Sequence, residues 1–317
     1  MNENNGVMLT LFSCPKAFRG NIKVIQTNAL QSWIGLSPRC EIILFGDEEG
    51  IPEAASFFGV LHVPQVARNE YGTPLLDDMF LKAQAVARHD IMGYVNADVI
   101  LMSDIVKAVE HVREKKKAFL MVGSRWNIDS GQPLDFSQPD WQERFRASVL
   151  KSGKPTPPEW IDYFVFPRGF YRDLLPFALG RAGFDNWLLW KARSLGGPII
   201  DASDVVMVVH QRHDYSHHPQ GKDGVWNGAE AKRNRELMGG WHRCFTLSDA
   251  TYRLTPAGLK LNLRKERLTR IVLVGGVVRL WDCLMTWTQP IRYGLGIRKF
   301  NTDRFFETLK KGVNFFR

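Results

Sequence analysis

A chain of 317 residues with 44% hydrophobic and 24% charged residues has ample material for a buried core; collagen-like, low-complexity and wholly disordered classes are excluded. The net charge of +9 is unevenly placed: residues 251–317 carry 14 Lys and Arg against 4 Asp and Glu, while residues 1–250 are nearly neutral. Nucleic-acid binding by the whole protein therefore lacks electrostatic support.

Residues 6–13 ("GVMLTLFS") read as a first strand. A helix over 21–33 follows, with Ile22, Ile25, Ala29, Leu30 and Trp33 at helical spacing. Strands are expected at 41–46 and 59–64. Residues 73–90 begin with Pro74 and place Leu75, Met79, Phe80, Ala83 and Ala87 on one helical face. The run 91–102 ("IMGYVNADVILM") is the next strand, 104–116 a helix and 118–124 another strand. The polar, Pro-rich stretch 127–160 reads as a long loop with one short helix at 141–150. A strand returns at 161–167, then a helix at 184–197 with Asp185 as N-cap, then a strand within 198–210 ("PIIDASDVVMVVH"). This alternation implies βαβ units: an α/β fold, one Rossmann-type domain over residues 1–250 with a mostly parallel central sheet. In such sheets the ligand lies outside the carboxyl ends of the strands. Neither GxGxxG nor GxxxxGK[ST] occurs, so phosphates would be held by other means.

Asn96 and Asp98 interrupt the apolar run 91–102. On a continuous strand, residues two apart share a face, and a carboxylate at the exit of a central strand can bind a divalent cation that clamps a diphosphate. The alternative is a turn, or a cap for the helix near Ser103–Asp104. His210 ends a strand and is followed by His213, Asp214, His217 and His218. An imidazole near Asp98 would make a further metal ligand, and His210 is the choice because the strand fixes its position; His213 and Asp214 could touch phosphate or acceptor. A separate zinc site and loop-capping surface histidines are the other readings. Asp47 suits a uracil N–H or ribose hydroxyls, or is a turn residue. Phe12 and Ser13 could stack on and bond to a base. Arg125 could pair with a phosphate or sugar carboxylate, Trp126 could pack on a sugar face or in the core, and Asp162 and Tyr163 could reach sugar hydroxyls. Asp185 is a helix cap or a general base, roles that partly conflict because capping depresses a carboxylate pKa.

In their order, "TLFSCPKAF", "EIILFGDEEG", "YVNADVIL", "FDNWLLWKA" and "VVMVVHQRHDYSH" resemble the GT-A glycosyltransferases, over about residues 7–220. The resemblance implies a GT-A-like domain, a nucleotide-diphosphate sugar donor, and a divalent cation, Mn²⁺ or Mg²⁺. It places Phe12, Ser13 and Asp47 at the nucleotide, Asp98 and His210 at the metal, and Asp185 as the base of an inverting transfer. Asn stands at position 96 where the DxD-type pattern has Asp. One negative charge is thereby lost, leaving Asp98 as principal ligand and Asn96 for a ribose hydroxyl or a metal-bound water. The expected function is a metal-dependent, inverting glycosyltransferase of polysaccharide biosynthesis acting on a glycan or lipid-linked acceptor. The alternatives are a non-catalytic sugar-nucleotide or glycan-binding protein, and a sugar-1-phosphate nucleotidyltransferase, whose Gly-rich loop "SCPKAF" lacks.

Residues 251–317 read as a basic, amphipathic helical appendage. The apolar stretch 271–289 tempts a membrane-spanning reading, but Arg279 and Asp282 fall near its middle, each costing about 2.5–3.5 kcal/mol at a helix centre. An interfacial helix on an anionic membrane fits better, with a packed helical appendage as the alternative. The end, "TDRFFETLKKGVNFFR", again joins aromatics to cations. RNA binding would be confined to this tail. The four cysteines form no CxxC pair and no secretory signal is visible, so a cytoplasmic protein with free thiols is expected, peripheral to the inner face of the plasma membrane.

Overall fold

The computed structural model describes residues 9–129, 131–213, 220–272, 276 and 279–288. The first half of the chain runs β1 (Leu9–Ser13), α1 (Gly20–Ile34), β2 (Glu41–Phe45), α2 (Ile51–Phe58), β3 (Leu61–Val63), α3 (Leu76–Val86), β4 (Ile91–Val95) and β5 (Val99–Ile100). It continues with α4 (Asp104–Lys115), β6 (Leu120–Val122), β7 (Arg125–Asp129), α5 (Trp141–Ser152), β8 (Lys154–Pro155) and β9 (Tyr163–Pro167). Then come α6 (Phe184–Ser194), β10 (Ile199–Asp201), β11 (Val208–Arg212), α7 (Gly221–Asn227) and α8 (Ala229–Met238). Two 3-10 turns at Trp241–Arg243 and Leu247–Asp249 lead to β12 (Tyr252–Thr255), β13 (Gly258–Leu261), α9 (Lys265–Val272) and α10 (Arg279–Trp287).

A nine-stranded sheet of order β13-β12-β10-β6-β9-β4-β1-β2-β3 forms the centre. Its pairings are parallel except for β9, which runs antiparallel between β4 and β6, and the β12–β13 hairpin at one edge. The fold is thus α/β with a mostly parallel central sheet, as the alternation implies. Helices cover both faces, so alternate residues of each strand enter different cores. Leu9 and Leu11 lie in one apolar cluster and Phe12 in the other; Leu44 and Phe45 divide the same way, as do Val165 and Phe166. Sheets buried on both faces read as continuous apolar runs, which is why these strands stand out in the sequence.

Four departures from the sequence reading bear on the site. First, the run 91–102 is two strands: β4 ends at Val95, Asn96–Asp98 form a turn, and β5 joins a second sheet of order β5-β11-β7-β8. Asn96 and Asp98 therefore share a turn, not a strand face. Second, residues 198–210 also divide, β10 entering the large sheet and β11 the small one. Third, the stretch 127–160 contributes β7 and β8 as well as α5. Fourth, residues 252–261 are strands at the edge of the large sheet, so the α/β domain continues past residue 250 and the helical tail begins only at Lys265. Polar-rich β7 and the β12–β13 edge earn their strand geometry from backbone pairing, which their composition does not advertise. Among the described residues, no helix is long and apolar enough to cross a membrane.

Candidate active site

The turn Asn96–Asp98 lies between the sheets, and three connections fix it. The backbone N–H of Asn96 donates to Asp162 O at 3.0 Å, because antiparallel β9 begins where β4 ends, with Val95 opposite Tyr163. Trp33 Nε1 donates to Val99 O at 2.9 Å. Buried Gln211 donates from its backbone N–H to Asp98 O at 3.1 Å and from Nε2 to Ile25 O at 2.9 Å, while its Oε1 accepts from Asn28 Nδ2 at 2.9 Å. Every one of these anchors is buried, so the turn is held without help from a ligand.

Antiparallel pairing of β11 with β5 sets His210 opposite Val99, next to Asp98. His210 Nε2 lies 3.5 Å from Asp98 Oδ2 and His213 Nε2 lies 3.1 Å from the same oxygen. The three residues form a group able to hold a metal ion, one ligand atom from each lying within 4.8 Å of the others. Donor atoms bound to one ion at about 2.0–2.2 Å stand roughly 3–3.5 Å apart, so the spacing fits. Two buried atoms of the group, Asp98 Oδ1 and His210 Nδ1, have no hydrogen-bond partner among the described residues. Burial by itself raises the Asp98 carboxyl, but His210 and then His213 overcome it and hold the group well below the usual carboxylate range. His213 is thus placed with Asp98 and His210, and it also lines both lobes of the cleft described below. Asp214, His217 and His218 lie outside the described residues.

The turn is the ridge between two lobes of a cleft at the strand ends. One lobe, about 390 Å³, is lined by Ser13, Lys16, Glu48, Thr73, Tyr94 and Arg181 among others. The second, about 240 Å³, is lined by Arg125, Trp160, Asp162, Asp185, Trp226 and their neighbours. Lys16, Asn96, Asp98, Arg181 and His213 line both. Cys14 also lines the first lobe, but burial and then the Glu48 charge push its thiol up to about 12, so it offers no nucleophile at neutral pH.

In the second lobe Asp162 is the hub. It accepts from Asn96 Nδ2 at 2.9 Å and pairs with Arg125, whose guanidinium lies 5.0 Å from the centre of the Trp160 ring. Asn96 therefore spends an amide hydrogen on Asp162, which orients the turn. Asp185 lies in the first turn of α6, whose N-cap is Gly183 with φ 108°, so Asp185 is not the cap that the sequence suggested. Its Oδ1 accepts from the backbone N–H of Asn186 at 2.9 Å. Burial raises its pKa, the Asn186 N–H opposes this and the Asp162 charge adds to the rise; the result is about 6. At this helix start burial outweighs the backbone N–H bonds, so the carboxyl lies above and not below its ordinary value. Arg181 is held at the floor by α8: its Nε donates to buried Glu230 at 2.8 Å, while Asn234 grips Ala178 through both its N–H (2.9 Å) and its C=O (3.0 Å).

Four expected site residues are not in the cleft. Phe12 is fully buried, edge-on to Phe80 with ring centres 5.0 Å apart, because its strand is covered on both faces. Tyr163 is fully buried in the opposite core. Trp126 packs on the small sheet beside Val149 and Ile100. Asp47 points outward and pairs with Arg68 at 2.6 Å, whereas its neighbour Glu48 lines the first lobe. Conversely, Lys16, Glu48, Trp160, Arg181 and Trp226 line the cleft and were not singled out. Lys16, in the loop directly after β1, was the one with a signal, since strand-end loops are where ligands sit.

The chain matches no protein-family model and no curated protein. Among solved structures it is similar to S. aureus TarS residues 1–349 in complex with UDP-GlcNAc, at 13% identity over 65% of this chain and 59% of that one, TM-score 0.42. It is also similar to the Pyrobaculum calidifontis mannosyltransferase PcManGT in complex with GDP-Man and Mn²⁺, at 14% identity over 65% and 57%, TM-score 0.40. A third is glucosyl-3-phosphoglycerate synthase from Mycobacterium tuberculosis with Mg²⁺ and UDP, at 14% identity over 75% and 80%, TM-score 0.42. The chain thus spans less than two thirds of the first two. Identities this low leave activity to be argued from the residues themselves.

Proposed function

We propose that this chain transfers a sugar from a nucleotide-diphosphate donor to a hydroxyl of a glycan or lipid-linked acceptor, with inversion at the anomeric carbon. The observation that carries the reading is that one cleft joins a two-histidine, one-carboxylate cluster to a separate half-buried carboxylate of raised pKa. Asp98, His210 and His213 would hold a divalent cation, which when bound supplies positive charge beside the departing diphosphate. Two imidazoles beside a single carboxylate favour Mn²⁺ over Mg²⁺. Lys16 and Arg181, which line both lobes, add protein charge of the same sign. The first lobe, with Ser13 and Glu48, takes the nucleoside. The half-exposed indoles of Trp160 and Trp226 offer flat faces to sugar rings in the second. Asp185, basic near pH 6, accepts the proton of the acceptor hydroxyl as the anomeric carbon is attacked. The basic residues beyond 251 bring the cleft to an anionic membrane where such acceptors lie.

Hydrolysis and transfer of a panel of nucleotide sugars, with and without Mn²⁺ or Mg²⁺, test this. Release of nucleoside diphosphate that needs cation and is lost in Asp98→Ala supports it. Release of pyrophosphate from a nucleoside triphosphate and a sugar phosphate would indicate a nucleotidyltransferase, and saturable donor binding without turnover a non-catalytic binder.

A further inference from the structure

Helix α6 begins in the cleft with Asp185 and ends, about 12 Å along its axis at Arg193, in a second and unrelated cavity. That cavity, of about 600 Å³, lies between α6, the 3-10 turns and helices α9 and α10. Five arginines line it: Arg193, Arg243, Arg267, Arg270 and Arg279. The one carboxylate lining it among the described residues is Asp249, and Asp249 is engaged by Arg270 at 2.7 Å with both side chains buried. Three of the others contact a hydroxyl, a carbonyl and an aromatic ring. Arg193 donates to Thr251 Oγ1 at 2.6 Å, Arg267 donates to Asn262 O at 2.9 Å, and Arg243 lies 4.7 Å from the centre of the Trp190 ring. A concave site with several guanidinium groups, and no further acid among its described lining residues, suits an anion with several oxygens.

The rim of the cavity narrows the identity of that anion. On α9, Leu268, Ile271 and Val272 share a helical face at spacings of three and four, and all are exposed, Val272 by 66%. On α10, Leu280, Leu284 and Trp287 do the same at spacings of four and three, Trp287 being 77% exposed. Amphipathic helices normally turn such stripes into the core; here they face outward beside an arginine-lined cavity. Apolar stripes flanking a concentrated positive charge complement a membrane interface, with acyl chains against the stripes and a phosphate at the arginines.

We propose that the cavity lined by Arg193, Arg243, Arg267 and Arg279 binds the headgroup phosphate of an anionic phospholipid. The sugar-transfer cleft is thereby fixed at a set distance from the bilayer through α6. This rests on the membrane contact proposed above and is independent of whether the cleft transfers sugar. Its new content is that residues of the α/β domain, Arg193 and Arg243, share the lipid site with the tail.

Vesicle sedimentation with the full-length chain tests it, using phosphatidylcholine alone and phosphatidylcholine mixed with phosphatidylglycerol. Wild type is expected on the mixed vesicles only. The double substitution Arg193→Gln, Arg243→Gln should weaken that partition about thirtyfold, two basic contacts at roughly 1 kcal/mol each. Removing the same charge from exposed α4 by Arg113→Gln, Lys115→Gln should leave partition near wild type. Equal losses in the two double variants would show diffuse charge and overturn the site, as would no loss in the Arg193/Arg243 variant or no binding by wild type. The single variants Arg193→Gln and Arg243→Gln, each expected to weaken partition by a smaller factor, serve if the double variant unfolds. Competition by inorganic phosphate at constant ionic strength, with no lipid requirement, would assign the cavity to a free phosphate and overturn the lipid reading. Hydrolysis of nucleotide sugar by the Arg193/Arg243 variant should match wild type, so loss of the site and loss of the transferase reading are told apart.

Discussion

Replacing Asp185 by Asn should make the protein more stable above pH 6 while removing sugar transfer. In the folded chain burial lifts the Asp185 carboxyl from an ordinary value of 3.8 to about 6. The native state therefore binds this proton more tightly than the unfolded chain. Its contribution to stability is complete below the unfolded value and is lost as the pH rises through the window from about 4 to 6. Two pKa units correspond to about 3 kcal/mol, the cost at neutral pH of holding the charge in the cleft. Asn keeps an oxygen for the Asn186 N–H, which is the bond Asp185 Oδ1 accepts at 2.9 Å, and removes the charge. Urea unfolding of both proteins at about pH 4, 6 and 7.5 gives the difference directly. The variant is expected to match wild type at the lowest pH and to exceed it by up to about 3 kcal/mol at the highest. With the donor saturating, transfer by the variant should fall roughly 10²- to 10⁴-fold, and the wild-type rate should fall as the pH drops below about 6. A stability difference that does not change with pH would refute the burial argument, and wild-type transfer by the variant would refute the role of base.

Asp98→Ala should abolish the Mn²⁺-dependent rise in melting temperature, which in wild type is worth about 2.7 kcal/mol at a hundredfold excess over Kd. His213→Ala should weaken Mn²⁺ binding at least as much as His210→Ala, because its Nε2 is the nearer to Asp98 (3.1 against 3.5 Å), as read by isothermal titration. Arg270→Ala breaks a pair in which both side chains are 7% exposed and should cost roughly 3–5 kcal/mol in denaturant unfolding. Asn234→Ala removes both bonds to Ala178, and should destabilise by about 2–3 kcal/mol while raising the KM for donor through the Arg181 floor.

The α/β class and part of the candidate site were legible because strands covered on both faces leave long apolar runs, and polar residues that end such runs stand out. Asp98 and His210 stand out in this way, whereas Asp185 is singled out by its place at a helix start and by the GT-A resemblance. That same double burial hid the direction of each side chain. Alternation separates two faces only when one is polar, so Phe12 and Tyr163 could not be told from cleft residues until their cores were known.

What the sequence determined by itself is local: the alternation of strands and helices through most of the large sheet, and which acids and histidines stand near those strand ends. Tertiary structure decided what those ends face. The antiparallel course of β9 puts Asp162 against Asn96 and turns a depleted motif into an anchored one. The pairing of β11 with β5 brings His210, and His213 beyond it, to Asp98 across more than a hundred residues. Packing of α8 on the loop before α6 sets Arg181 in the cleft floor. These contacts join residues distant in the chain, and their energies depend on pairings that no local pattern encodes.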